Sequence, residues 1–183
     1  LTITLKEDGT PAGQQRSERL FDPDKQPVYT QTENEGDNYY FLSFHGQLYS
    51  ANLAGPVATI GEHWSLLTAE DAAANWRPGG YQPFAFNHAG GQFYVAMHPN
   101  GAEGSHKNPA AEIWAFDLKT KQRVARVAGN NAVALAVSRG KAPLLFAIDP
   151  LTAGLVSYST TPELAPLKRV DGFGEAPILI ETH

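Results

Sequence analysis

Phe84-Ala85-Phe86-Asn87, Gln92-Phe93-Tyr94-Val95-Ala96-Met97-His98, Glu112-Ile113-Trp114-Ala115-Phe116-Asp117-Leu118 and Gln122-Arg123-Val124-Ala125-Arg126-Val127-Ala128 are four short runs cut apart by turn residues. Aromatic and β-branched residues dominate them, and apolar positions alternate with polar ones, which is the pattern of antiparallel strands with a buried face. Lys119-Thr120-Lys121 joins the last two runs. The series has a predecessor in Val28–Thr32, Tyr39–Phe44, Gln47–Leu53 and Val57–Ile60. It has a successor in Ala134–Ser138, Leu144–Asp149, Leu155–Ser159 and Leu167–Val170.

The three series begin near residues 28, 84 and 134, spacings of 56 and 50 residues. Four short strands per roughly 50 residues is the length of a propeller blade, somewhat above the ~40–45 of tryptophan–aspartate repeats. Two insertions explain the excess. One is the loop Pro99–Pro109, and the other is a helical segment, Leu66–Asn75. There Thr68 is suited to cap the N-terminus, Glu70 and Asp71 favour the helix start, and Pro78-Gly79-Gly80 is expected to stop it.

The expected fold is therefore all-β: a β-propeller segment of about three to four four-stranded blades. The blades fall at approximately 24–67, 81–128 and 132–172, with end strands at 1–5 and 177–181 belonging to flanking blades. Propellers close with roughly 4–8 blades, so these sectors leave the ring open. Either the rest is another piece of the same gene product, or two chains complete one ring, or the three series form an unrelated sandwich. The first reading is adopted. Leu1-Thr2-Ile3-Thr4-Leu5 alternates like a strand and carries neither an initiator Met nor an export signal, so the beginning reads as cut or processed.

Composition removes several function classes. With 42% apolar and 18% charged residues the chain can offset its ordering entropy by burial, which argues against disorder. The net charge is −5 and the basic residues are scattered, so nucleic acid is not an expected partner. The strongest apolar runs, such as Pro143–Ile148, are strand-sized, and none approaches the roughly 18 residues of a membrane span. There is no cysteine, which excludes disulfides, thiolate zinc and thiol nucleophiles within the chain.

The residues give little sign of catalysis. His45, His63, His88, His98, His106 and His183 show no zinc-type spacing, and no Gly-x-Ser-x-Gly elbow or paired-acid motif is present. His45 and His88, near turns, are expected to bond exposed loop backbone. Gly79-Gly80 and Gly90-Gly91 open no helix and lack a Lys-Ser/Thr continuation, so they read as turns permitting positive φ. Trp114 alternates within a strand and reads as packing. Asp117 is placed to accept turn amides. Trp76 and Arg77 stand beside two glycines, where an amphipathic ring and a forked cation suit either a partner surface or packing of the helix end. Tyr81, His106 and Lys107 join them as candidate interface residues.

Trp76-Arg77-Pro78-Gly79-Gly80-Tyr81-Gln82 follows an Ala-rich acidic segment. Together with Val95-Ala96-Met97-His98-Pro99, Ser105-His106-Lys107, Glu112-Ile113-Trp114-Ala115-Phe116-Asp117 and Lys119–Arg126, it resembles the large subunit of the tryptophylquinone-dependent amine dehydrogenases. The likeness covers essentially the whole chain. Met97-His98-Pro99 leans it toward the aromatic-amine branch rather than the similar methylamine branch. The resemblance implies a seven-bladed propeller about twice this long, of which this is the C-terminal half. It implies oxidative deamination of primary aromatic amines on tryptophan tryptophylquinone, built from two tryptophans in a small disulfide-rich subunit that also holds the catalytic base. A cysteine-free chain is not that subunit, so no catalytic, cofactor or metal residue is expected here. Two large and two small subunits, an azurin-like copper acceptor and a periplasmic location are implied in the same way. The rival expectation is a free-standing kelch-like interaction propeller. A propeller lactonase is weaker, for want of a metal-binding set.

Overall fold

A computed structural model describes residues 5–12, 20–22, 24–55, 57–160, 162–175, 177–178 and 180. Its strands form three antiparallel sheets that follow one another along the chain. The first holds β1 (Val28–Glu35), β2 (Asn38–Ser43), β3 (Gln47–Asn52) and β4 (Thr59–Ser65), paired in that order. A short helix, α1 (Ala69–Ala73), and a two-residue strand, β5 (Arg77–Pro78), lead to β6 (Phe84–Asn87), β7 (Gln92–His98), β8 (Ala110–Asp117) and β9 (Arg123–Ala132). β5 and β6 share one side of β7, and β8 and β9 continue outward. The third sheet runs β10 (Ala134–Val137), β11 (Leu144–Asp149), β12 (Gly154–Ser159) and β13 (Pro166–Val170). Sequential sheets of four, five and four strands bear out the expected partial propeller.

The second sheet is the middle of the packing, and the pleat of its strands divides two cores between its faces. All seven residues of β7 are buried. Phe93, Val95 and Met97 join Trp114 and Phe116 of β8 in a core shared with Leu42 and Leu48 of the first sheet. Tyr94 and Ala96 join Ile113 and Ala115 in a core shared with Leu135, Leu145, Val156 and Tyr158 of the third. The large aromatics thus face one neighbour. Alanines at 85, 96, 110, 115 and 132 face the other and make room for Tyr94 and Tyr158. Each large side chain removed from water contributes about 1.5–3 kcal/mol, so this division is a main source of cohesion.

Antiparallel alternation sends the chain turns to two opposite faces. The β2–β3 turn, the β7–β8 loop, the β11–β12 turn and the connections between sheets share one of them, here called the joining face. Side-chain amides help set neighbouring sheets in register. Gln31 of β1 does this by bonding both backbone groups of Phe84, and Gln82 bonds those of Ile180, which lies outside the strands, in the same way. The last link is very short: Val133 alone separates β9 from β10. Its carbonyl accepts the N–H groups of Tyr81 and Gln82 at 2.7 and 3.1 Å, and its own N–H donates to Ile148 at 2.9 Å.

Several elements differ from the sequence expectation. The helix ends at Ala73, before Pro78-Gly79-Gly80 is reached, because Asn75 adopts φ 53°. Trp76 N–H then bonds Asp71 O at 3.0 Å and Asn75 N–H bonds Ala72 O at 3.1 Å, the paired closure of a left-handed C-terminus. Its beginning is as expected: Thr68 and Asp71 form a reciprocal capping box. β4 starts at Thr59 rather than Val57, since Asn52 Oδ1 accepts Ala54 N–H at 3.0 Å and shapes the turn before it. β9 runs on to Ala132 through a bulge, with Asn130 and Asn131 at φ 48° and 58°. Of the end segments, residues 1–4, 179 and 181 lie outside the described residues. Leu5 makes one bridge to Pro11, and Pro177, Ile178 and Ile180 are in no strand.

Candidate functional site

Gly79-Gly80 is the pivot from which the candidate surface is built. Gly80 has φ 114°, and a Cβ there would stand 2.5 Å from Val133 O. Gly79 lies outside the left-handed region, and its need is space: a Cβ would come within 2.5 Å of both Asn108 O and His98 Nδ1. Of the paired glycines read as positive-φ turns, Gly80 and Gly91 therefore qualify, while Gly79 and Gly90 are required by close approach. The tight passage turns Tyr81 outward, 42% exposed, on the joining face.

The β7–β8 loop comes to meet it. His106 O accepts Gly80 N–H at 3.0 Å, and Lys107 Nζ lies 5.6 Å from the centre of the Tyr81 ring. Across from them Tyr29 of β1 donates its hydroxyl to Pro78 O at 2.6 Å, with His106 O at 3.2 Å. Burial pushes the Tyr29 phenol above its usual range, so it stays a neutral donor. Between these walls lies a cleft of ≈ 380 Å³, lined by Val28, Tyr29, Phe44, Tyr81, His106 and Lys107, among others. The His106 ring meets Phe44 edge-on at 6.3 Å.

The loop is anchored from below by His98, which ends β7 and is 5% exposed. Its Nε2 lies 2.9 Å from Oγ of Ser105, the first residue of a short 3-10 turn that carries His106 and Lys107. Nδ1 is buried without a partner. Burial, and then the nearby charge of Arg77, lower the His98 pKa and keep the ring neutral.

Three of the five candidate residues, Tyr81, His106 and Lys107, are thus brought together. Trp76 and Arg77 lie elsewhere, against the second sheet. The Trp76 ring packs 5.0 Å from that of Trp114, and the Arg126 guanidinium lies 5.2 and 5.0 Å from the two rings. Trp114 is fully buried, its indole N–H donates to Glu112 at 2.6 Å, and Arg123 sits over it at 4.2 Å. Arg123 also bonds Asp71 at 2.7 Å, tying the helix cap to this sheet. Burial opposes the Asp71 charge, but the Thr68 amide and Arg123 outweigh it and hold the carboxyl below the usual range. Arg77 gives its guanidinium to Trp76 O and Asn75 Oδ1 at 3.0 and 3.3 Å.

Other readings are settled by the same contacts. Asp117 accepts Thr120 N–H at 2.6 Å, the turn role expected of it. His88 differs: its ring stacks on Phe86 at 5.0 Å and 7° instead of bonding loop backbone. Among the described residues no group of three or more metal-ligating side chains assembles, and no helix is long and apolar enough to cross a membrane. Tyr29 and Phe44 were not anticipated as cleft residues. A tyrosine inside an alternating strand carries no mark that separates it from ordinary core.

The model of the methylamine dehydrogenase heavy chain matches residues 3–183 of this sequence. The chain belongs to the methylamine dehydrogenase heavy-chain family. Curated relatives named methylamine dehydrogenase heavy chain include one from Methylophilus methylotrophus, 24% identical over 172 residues, which covers 91% of this chain and 41% of the relative. Another, from Paracoccus versutus, is 29% identical over 143 residues, covering 77% and 33% respectively. A third, from Methylobacillus flagellatus, is 25% identical over 154 residues, covering 84% and 37%. This heavy-chain family member therefore spans between a third and two-fifths of the length of these relatives.

Proposed function

We propose that this chain is the C-terminal half of the large subunit of a quinoprotein amine dehydrogenase, one that oxidatively deaminates primary aromatic amines. Its part is to hold the small subunit. The observation that carries the reading is the family match along nearly the whole chain, joined to three sheets packed in series. The blades at 24–67, 81–128 and 132–172, with 1–5 and 177–181 in flanking blades, are then sectors of a longer seven-bladed ring. Phe173, left exposed beside the apolar pocket of Ile148, Leu155, Pro177 and Ile180 on the third sheet, suits cover by a further sector.

Tryptophan tryptophylquinone, on the small subunit, supplies the carbonyl that the amine attacks and stores the two electrons. Trp114 of this chain does not suit that task. Trp114 is sealed under Arg123 and Arg126, and Glu112, beside it, is bonded to Arg126 at 2.6 and 2.9 Å rather than free to take a proton. In this reading Tyr81, His106 and Lys107 face the partner, with Trp76 and Arg77 at the same subunit interface. Two large and two small subunits, an azurin-like copper acceptor and a periplasmic site complete it. Aromatic amines are preferred on the Met97-His98-Pro99 string.

The test is purification of the intact large subunit from its source. A cysteine-rich small chain should accompany it, with a quinone absorbance that bleaches on adding tyramine faster than on adding methylamine. Faster bleaching by methylamine would move the substrate to short aliphatic amines. A colourless preparation with no second chain would overturn the reading in favour of a free-standing interaction propeller.

A further inference from the structure

Lys107 is the basic side chain that lines the cleft. Elsewhere Lys25, Lys121, Arg123, Arg126 and Arg169 each have a carboxylate at ion-pair distance, whereas Lys6, Lys119, Arg139, Lys141 and Lys168 show none among the described residues. Lys107 has none among the described residues. Glu103 lines the same cleft but makes no such contact with it. The Lys107 ammonium instead rests over the Tyr81 ring. The walls opposite are apolar: Pro27, Val28 and Phe44.

We infer that this cleft receives an extended segment of the small subunit that presents a carboxylate beside an apolar side chain. The carboxylate meets Lys107, and the apolar side chain enters between Phe44 and Tyr81. The inference rests on the large-subunit reading and adds the chemistry of the partner. Size agrees, since ≈ 380 Å³ sits near the lower end of the ~300–1,000 Å³ of small-ligand pockets and takes side chains rather than a whole element. The walls are also pre-set: Gly80, His98 and Tyr29 fix the loop and strand before any partner arrives, which lowers the ordering cost of binding.

The experiment uses the full large subunit and its own small subunit as the probe, with association measured at low and high salt for the wild type, Lys107→Met, Lys107→Glu and Tyr81→Ala. Lys107→Glu should weaken association about tenfold at low salt, as expected when attraction across an interface becomes repulsion. Lys107→Met should weaken it less and flatten the salt dependence, and a carboxylate-to-lysine change on the small subunit should restore binding to Lys107→Glu. Tyr81→Ala should weaken it with little effect on that dependence. Lys107 is exposed, so these variants should melt like the wild type; if Lys107→Glu does not, Lys107→Met still reads the charge. Wild-type association with unchanged Lys107 variants would overturn the inference while leaving the large-subunit reading intact. Tighter binding by Lys107→Glu would overturn it too, by showing a basic partner segment. No association by the wild type would sink the reading and the inference together.

Discussion

The side-chain amide of Gln31 reproduces one rung of a β-ladder on Phe84: its Nε2 donates to Phe84 O at 2.7 Å, and its Oε1 accepts Phe84 N–H at 3.4 Å. Gln82 repeats the device on Ile180, at 3.0 Å in both directions. Through Gln31 the first and second sheets, which share no strand pairing, are held at a fixed height. Apolar packing between them, which is non-directional, does not set that height so sharply.

Gln31→Leu keeps the bulk but leaves two buried backbone groups of Phe84 without partners, which should cost about 1–3 kcal/mol. Gln31→Glu should cost a similar amount, because its carboxylate accepts from Phe84 N–H yet faces Phe84 O without a donor. Denaturant melts of both variants check this. A Glu variant as stable as the wild type would show that only one of the two bonds matters.

Gly80→Ala should destabilise by about 2–3 kcal/mol through backbone strain alone, with the clash against Val133 O adding to it. Gly91 also has a positive φ, 66°, but nothing lies within 4 Å of a Cβ there. Gly91→Ala should therefore be the milder change. Equal losses in thermal melts would mean that close approach at Gly80 is relieved at no cost.

His98 gives a pH dependence with a defined sign. Its folded pKa lies below the ordinary 6.5, so above that pH both folded and unfolded rings are neutral and stability is unaffected. Below 6.5 the unfolded chain takes up a proton that the folded ring resists, and stability falls until the folded pKa is passed. The β7–β8 loop should loosen in the same window. His98→Asn removes the titrating group and should flatten stability across that range, measured by melting at successive pH values. An unchanged slope would assign the dependence to another group.

Asp71 behaves in the opposite part of the scale. Its carboxyl is held below 3.8, so the stability it provides is present above that pH and is lost as acid carries the folded group through its pKa. Arg123→Met should shift this loss to higher pH, since the Thr68 bonds then stand alone. Acid unfolding curves followed by circular dichroism would show the shift, and identical curves would mean that Arg123 contributes nothing to the cap.

Much of the fold was legible because strand alternation is a local signal. Phe84–Asn87, Gln92–His98 and Leu144–Asp149 have the strand bounds the sequence suggests, and their residues point to whichever core the pleat assigns. The spacing of the series exposed the serial sheets. What was hidden depended on partners distant in sequence. Arg77–Pro78 reads as loop because nothing nearby says that His98 and Met97 will pair with it. The early helix stop hinged on a left-handed Asn75, a conformation asparagine permits but does not announce. The cleft was half legible: the loop residues stood out as unexplained polar and aromatic groups, whereas Tyr29 and Phe44 reach it only through the packing of one sheet on another.

Val133 leaves the passage from β9 to β10 without slack. One inserted residue would have to bulge out, surrendering the bonds to Tyr81 and Gln82, or push β10 along β11 by a single step. A single step exchanges the faces of a strand, so Leu135 would leave its core and Ala134 would take its place. Length variation among related chains is therefore to be sought in the turns after Asn52 and Ser138, whereas Ala132-Val133-Ala134 acts as a ruler whose count does not change.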